Sequence, residues 1–308
     1  MMQITSEMVR DLREKTGAGM MDCKKALADS GGDMERAIDA LRKKGLAAAA
    51  RKASRIASEG LVAVHVEEGA GALVEVNCET DFVAKTGDFQ VLAGAVAALV
   101  RAKDPGSVDE ALAVPAGAGG TLQDLLTERV AKIGEKISFR RFARFALPAG
   151  EKGAIASYIH AGGKIGVLVE LRGASGDDPS IAALGKDLAM QVAAANPSWV
   201  TRADVPADVI AREKSVYREQ ALAAGKPGKI LDRIAEGKLE KFYGDLCLVE
   251  QAFIKDPDRK VKDLLAEAGK SSGIEIRVAR FARFQVGEGM EKRPDDLAAE
   301  VARQLGQG

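Results

Sequence analysis

The chain has 308 residues, with 45 Lys plus Arg against 45 Asp plus Glu, so its formal charge is zero. That length accommodates two or more compact units, and the balanced charge argues against a general nucleic-acid binder, which needs a basic surface to displace counterions. Three scattered cysteines, Cys23, Cys78 and Cys247, have no CxxC or CxxH spacing, which disfavours a zinc site or a disulfide framework and fits a reducing compartment.

The N-terminal stretch is polar and periodic, without an apolar signal core. No apolar run is long enough to cross a bilayer, so the expectation is a cytoplasmic protein. The first segment reads as three short helices. Thr5 is placed as an N-cap, and Ile4, Met8 and Leu12 share one face at four-residue spacing. The stretch TGAG interrupts the pattern. MMDCKKALADS forms a second helix, stopped by Gly31 and Gly32. Asp33 caps a third, with Met34, Ala37, Ile38 and Leu41 on one side, and Gly45 is expected to end it. The Ala-rich, basic run at 46–58 then reads as a helical linker.

Strand texture follows. LVAVHVEE and LVEVNC, joined through Gly69 to Gly71, predict a β-hairpin. FQVLAGAVAALV predicts a helix with Phe89, Leu92, Val96 and Leu99 on one side. Thr121 and Asp124 have the spacing of a capping box before LLTERVAKIG. ISFRRFARF, residues 137–145, is a third strand. The same order then recurs: strand, Gly turn and strand over 153–171, a helix over 181–195, and a strand at 274–284 that ends in FARF, as the earlier one does.

This repetition predicts an α+β fold with two related subdomains, each a small antiparallel sheet with helices on one face. The second copy carries an insertion: helices at 204–224 and 229–243 around the breaker GKPG form an antiparallel hairpin. Val209, Val216 and Ala223 fall at seven-residue spacing on its first arm, and Ile230, Leu231, Ile234, Leu239 and Phe242 face back from its second. DDLAAEVARQL, residues 295–305, predicts a last short helix. The expected divisions are 1–55, 56–146, 147–203 with 244–286, 204–243, and 287–308.

Enzyme chemistry finds few candidates. His65 alternates with Val64 and Val66 on a strand and reads as a partly solvated side chain, without a Cys or His nearby in sequence to share a metal. His160 ends SYIH before a Gly turn. Cys78 with His65 across the hairpin is the one pair that would suit a thiol enzyme. The GxG stretches are turns, with no phosphate-loop spacing. No cofactor and no metal is expected. The organisation points instead to a multi-part protein-binding surface.

Two stretches, LREKTGAGMMDCKKAL at 12–27 and EVNCETDFVAK at 75–85, resemble the signature segments of bacterial elongation factor Ts. The order of parts resembles that family along the whole chain. The resemblance implies a UBA-like (ubiquitin-associated) head, a core of two subdomains, an inserted coiled-coil hairpin often called the dimerisation domain, and a C-terminal helix. It also implies a guanine-nucleotide exchange factor, not an enzyme, whose partner is elongation factor Tu in its GDP-bound and nucleotide-free forms. By that resemblance Thr80, Asp81, Phe82 and Val83 act at the partner's nucleotide and magnesium region. Gly19, Met20, Met21 and His160 would add contacts, and the C-terminal helix would bind the same GTPase domain.

The residues leave alternatives at these positions. Phe82 reads either as a contact at a loop tip or as a core side chain pinning the hairpin to Phe89. Met20 and Met21 read as contacts or as core; because Met20 shares a helix face with Leu27, at least one of the two is expected inside. A UBA-like adaptor would explain the head but leave the duplicated core without a role. An RNA-binding α+β protein is disfavoured by the charge balance and the shortage of aromatic platforms. The stretch AVPAGAGGT at 113–121 has no functional reading.

Overall fold

The structure, a computed structural model, describes residues 4–16, 18–117, 120–173 and 176–291. The helix expected at 295–305 lies outside them, as do Gly17 and part of the 113–121 stretch. The elements in chain order are α1 (Ser6–Thr16), α2 (Met20–Asp29), α3 (Met34–Lys52), β1 (Glu59–Glu67), β2 (Ala70–Cys78), α4 (Asp81–Ala84), α5 (Gly87–Lys103), α6 (Val108–Ala113), α7 (Leu122–Ile133) and β3 (Ser138–Ala146). There follow β4 (Gly153–His160), β5 (Ile165–Arg172), α8 (Pro179–Ala195), α9 (Ala207–Ala223), α10 (Leu231–Leu246), β6 (Ala252–Phe253), β7 (Asp256–Lys260), α11 (Val261–Ser272) and β8 (Arg277–Gln285). The fold is α+β, with three-stranded sheets in the orders β1-β2-β3 and β4-β5-β8 and a two-stranded sheet β6-β7.

Two compact units are distinguished. One holds the described residues up to 63, 74–142 and those from 285; the other holds 64–73 and 143–284. In the first unit, α1 to α3 enclose a small core of Val9, Leu12, Cys23, Ala26, Leu27 and Ala37, with Ile4, Met8, Ile38 and Leu41 packed against it. Thr5 and Asp33 cap as expected: Thr5 Oγ1 accepts from Met8 N at 3.2 Å and Asp33 Oδ1 from Arg36 N at 3.0 Å.

Gly45 does not end α3. The helix runs on to Lys52, and Gly45 is a buried interior position. A Cβ there would sit 3.5 Å from Ala131 Cβ on α7. The missing side chain therefore serves close helix packing rather than termination, and the Ala-rich run that follows is largely helix. Arg42 to Asp124, at 2.7 Å, adds an ion pair between the same two helices.

On α5 the buried face is Phe89, Leu92, Ala93, Val96, Ala97 and Val100. Val100, not Leu99, completes the stripe, because the helix drifts with its 3.6-residue period. The capping box forms: Thr121 Oγ1 accepts from Asp124 N at 3.2 Å, and Asp124 Oδ2 accepts from Thr121 N at 2.9 Å.

The second unit packs β4 and β5 against α8 and α11 through Val167, Val169, Leu171, Ile181, Leu188, Val192, Val261 and Leu265. The strands β4 and β5 run antiparallel from Gly153 opposite Arg172 to His160 opposite Ile165. The helical hairpin forms, but its seam differs from the seven-residue reading: Val216 is 39% exposed, Ala223 is exposed, and Ala221 is buried. Leu231, Ala235, Leu239 and Phe242 are the buried residues of α10. Arg202 reaches Glu240 and Glu250, both at 2.8 Å, at the base of the hairpin.

The two copies match more closely than FARF suggested. GALVEV at 71–76 in β2 answers GVLVEL at 166–171 in β5. Both α5 and α8 have 17 residues and end in a left-handed cap, Asp104 and Asn196. Both α7 and α11 have 12 residues and end at a left-handed Gly, Gly134 and Gly273. Gly60 and Gly153 are equivalent too: a side chain on either would collide with a backbone carbonyl, that of Val76 or Leu171.

Candidate functional site

At the end of β2 the chain turns into a helix of a single turn, α4. Four residues cannot hold a helix in water by themselves, so the turn depends on what surrounds it. Thr80 is its N-cap, in extended conformation, with Oγ1 accepting from Val83 N at 3.3 Å. Ala84 is buried beneath it. Phe82 is 79% exposed. This settles the two readings of Phe82 in one respect: it is no core residue, and Phe89, fully buried, fills that role. Asp81 pairs with Lys85 Nζ at 2.6 Å, an exposed i to i+4 contact. Such a pair is weak and readily exchanged. Val83 is half-buried.

A second layer holds the turn. Glu135, in the loop after α7, accepts from Glu79 N and Thr80 N at 3.0 Å each, through one carboxylate oxygen. Its other oxygen accepts from Thr80 Oγ1 at 2.6 Å. Glu79 answers in the opposite direction. Its carboxylate accepts from Lys136 N at 2.6 Å and from Arg55 Nη1 at 3.2 Å. Lys136 Nζ in turn donates to the carbonyl of Arg55 at 2.9 Å. Cys78 Sγ donates to Thr80 O at 3.1 Å.

The strand that carries this turn is itself pinned from inside. Glu75, fully buried, accepts from Arg140 at 3.0 Å and Arg141 at 2.6 Å, from Asn77 at 3.1 Å, and from Gly287 N at 2.8 Å. Burial pushes this carboxyl up, but the Gly287 amide, both guanidiniums and Asn77 pull harder, and it lies below the ordinary carboxylate range.

The other expected contact residues are distributed. Gly19 is the N-cap of α2, and Met20 and Met21 are 58% and 74% exposed. The expectation that one Met is internal is therefore wrong. Both sit in the first turn of α2, and the buried stripe begins only at Cys23 and continues through Ala26 and Leu27. His160 belongs to the second unit, at the end of β4. It is exposed, with Nδ1 at 3.0 Å from Tyr158 Oη. Thr80, Asp81, Phe82 and Val83 thus form one tip, while the methionines and His160 lie on other elements.

Sequence reasoning missed Glu135, which is 55 residues from Thr80 in the chain and carries no local signal. It also passed over Val91, which is 71% exposed on α5. Its signal was present: Val91 falls off the stripe of Phe89, Leu92 and Val96.

The residues considered for thiol chemistry have local partners of their own. Cys78 is fully buried, with its thiol on a carbonyl. His65 is 40% exposed beside Glu67 at 3.5 Å. Among the described residues no group of three or more His, Cys, Asp or Glu is placed to hold a metal ion, and no helix is long and apolar enough to cross a membrane.

Comparison with known proteins agrees along the whole length. Residues 79–288 match the family model described as elongation factor TS. The chain is 51% identical over 302 residues to elongation factor Ts of Syntrophotalea carbinolica, covering 98% of this chain and 99% of that one. It is 50% identical over 307 residues to elongation factor Ts of Clostridioides difficile, covering 99% and 100%. It is 50% identical over 312 residues to elongation factor Ts of Trichlorobacter lovleyi, covering 99% of each. With the duplicated α+β core and the capped tip in place, these matches show that the chain belongs to the elongation factor Ts family.

Proposed function

We propose that this protein binds elongation factor Tu, a GTPase, in its GDP-bound and nucleotide-free states and promotes release of GDP for exchange with GTP. The observation that carries the reading is Phe82: a large aromatic side chain, 79% exposed, on a one-turn helix capped by Thr80. An exposed Phe held on a short capped turn suits insertion into a partner better than any internal role. Asp81, on the same turn and 43% exposed beside Lys85, is placed to compete for groups around the partner's magnesium. Thr80 and Val83 fix the turn. Met20 and Met21 offer adaptable apolar contacts from the helical head, and His160 a contact from the second unit. The protein acts without covalent chemistry, in the cytoplasm, and the α9–α10 hairpin is the surface through which two copies would pair.

An exchange factor gains nothing by binding both nucleotide states equally; it must favour the empty one. Burying one phenylalanine contributes about 2 to 3 kcal/mol, which is roughly a fiftyfold shift when that burial occurs only in the empty state. The test is the rate of labelled GDP release from elongation factor Tu with no added protein, with the wild type, and with Phe82→Ala. Strong acceleration that Phe82→Ala reduces by about an order of magnitude or more, with complex formation retained, supports the reading. No acceleration by the wild type overturns it. Acceleration untouched by the substitution keeps exchange and moves the mechanism away from Phe82.

A further inference from the structure

We propose that Glu135 is the positioning residue of the Phe82 tip, and that Glu79 and Arg55 complete a crossed clamp around it. This rests on the exchange reading for the tip's purpose, but the clamp itself is a property of the free chain.

Three observations carry it. The first is the hydrogen-bond inventory. Glu135 takes both backbone amides that lead into α4 and the hydroxyl of the residue that caps it. Thr80 Oγ1 donates to Glu135 while it accepts from Val83 N, so the carboxylate fixes the hydroxyl's direction as well as its position. Hydrogen bonds to an ionised carboxylate are among the stronger ones.

The second is reciprocity. Glu135 binds the backbone at 79 and 80, and Glu79 binds the backbone at 136. Two carboxylates drawn together repel, and Arg55 on Glu79 offsets that. Arg55 lies just beyond α3, so the clamp also fastens the connection from the helical head.

The third is the protein's own duplication. Residues 121–145 and 260–284 correspond without a gap: Thr121 and Asp124 to Lys260 and Asp263, DLL to DLL, Gly134 to Gly273, FARF to FARF. In that register the position of Glu135 is taken by Ile274, which is 41% exposed. The strand equivalent to β2 is β5, and among the described residues between it and α8 there is no one-turn helix with an exposed aromatic. The acid is present in the copy that carries a tip and is replaced by an aliphatic side chain in the copy that does not. A residue needed only to stabilise the loop after the helix would serve both copies alike.

The experiment uses the full chain with Glu135→Ala and Glu135→Gln. Amide hydrogen exchange of Glu79 and Thr80 is followed by NMR in the free protein, and labelled GDP release from elongation factor Tu is measured across exchange-factor concentration. Protection of both amides in the wild type is expected, and its loss in Glu135→Ala. Loss of charge-assisted hydrogen bonds predicts that the maximal release rate falls about tenfold. The half-saturating concentration should stay within about twofold, because the remaining contacts are untouched. Glu135→Gln keeps the shape and some acceptor capacity and should fall between the two; it carries the test where the alanine variant does not fold.

Unprotected amides in the wild type overturn the clamp. Deprotected amides with an undiminished maximal rate overturn the positioning role. A wild type that does not accelerate release at all overturns the exchange reading instead, and the amides still report whether Glu135 holds the turn.

Discussion

The sheets β1-β2-β3 and β4-β5-β8 each bury one glutamate at the same register position, Glu75 in GALVEV and Glu170 in GVLVEL. Each glutamate meets an arginine from the equivalent place before FARF: Arg141 Nε at 2.6 Å and Arg280 Nε at 2.8 Å. The remaining partners differ. Glu75 adds Arg140, Asn77 and the amide of Gly287, while Glu170 adds Arg172. The sheets therefore share a buried ion pair as part of the scaffold and diverge in what is fastened to it. The copy with the additional partners is the one whose second strand runs into the Phe82 tip. The two copies share the frame and differ at its ends.

The comparison breaks most visibly if Glu75 is removed. Glu75→Ala removes the buried carboxylate that Arg140 and Arg141 share, although Arg141 keeps Glu288 at 3.2 Å, and loss of one partner from a buried pair costs about 3 to 5 kcal/mol. Glu170→Ala should cost less, because Arg280 is half exposed and can turn to water and Arg172 keeps its pair with Glu151. Urea unfolding followed separately by hydrogen exchange in each unit measures both. Equal losses would mean that the additional partners of Glu75 contribute nothing.

Acid titration sharpens the same point. The folded carboxyl of Glu75 lies below its unfolded value of about 4.5. Its contribution is therefore complete above that pH and is lost as pH falls through the lower folded value. Asp124 behaves likewise: the Thr121 amide and Arg42 hold it at about 2, so its share is lost between 3.8 and about 2. Wild-type stability should thus decline below about pH 4.5, and Glu75→Gln should flatten that decline. An unchanged slope would locate the acid sensitivity elsewhere.

The capping boxes give a smaller contrast. Thr121 supplies a hydroxyl that accepts from Asp124 N, whereas the equivalent residue, Lys260, offers an ammonium that cannot accept; only the reciprocal half, Lys260 N to Asp263 at 2.9 Å, is present. Thr121→Ala should cost about 1 kcal/mol and Lys260→Thr should gain a similar amount. Chemical denaturation of each variant reads the difference directly.

These contrasts also show why some of the molecule was legible in its sequence. Strands, caps and the hairpin followed from local pattern: alternation in β2, Thr121 with Asp124, Asp33 before α3. The exposed tip followed from a recognised motif. What escaped depends on partners distant in sequence. Gly45 looks like a terminator until α7 is laid against it, and Met20 looks internal until the start of the buried stripe is fixed at Cys23. The helix α11 went unread although DLLAE at 263–267 answers DLLTE at 124–128; the duplication, followed through in register, would have placed it. Glu135 has no such aid, since its meaning arises only when the loop after α7 meets the end of β2.

The smallest predicted effect bears most directly on that residue. Ile274→Glu places the acid of the first copy at the equivalent position in the second. Ile274 is 41% exposed, so the change should stay within about 0.5 kcal/mol, as surface substitutions do. It should also leave GDP release unchanged. Among the described residues after β5 there is no one-turn helix, so the new carboxylate has no pair of amides leading into a short helix there to receive it. Thermal unfolding and the release assay check both halves. A marked stabilisation would mean that an acid here serves any loop after a helix of this kind. Glu135 would then be part of the common frame, and its link to the Phe82 tip would lose its strongest argument. A silent substitution leaves the acid tied to the one copy in which a turn must be held.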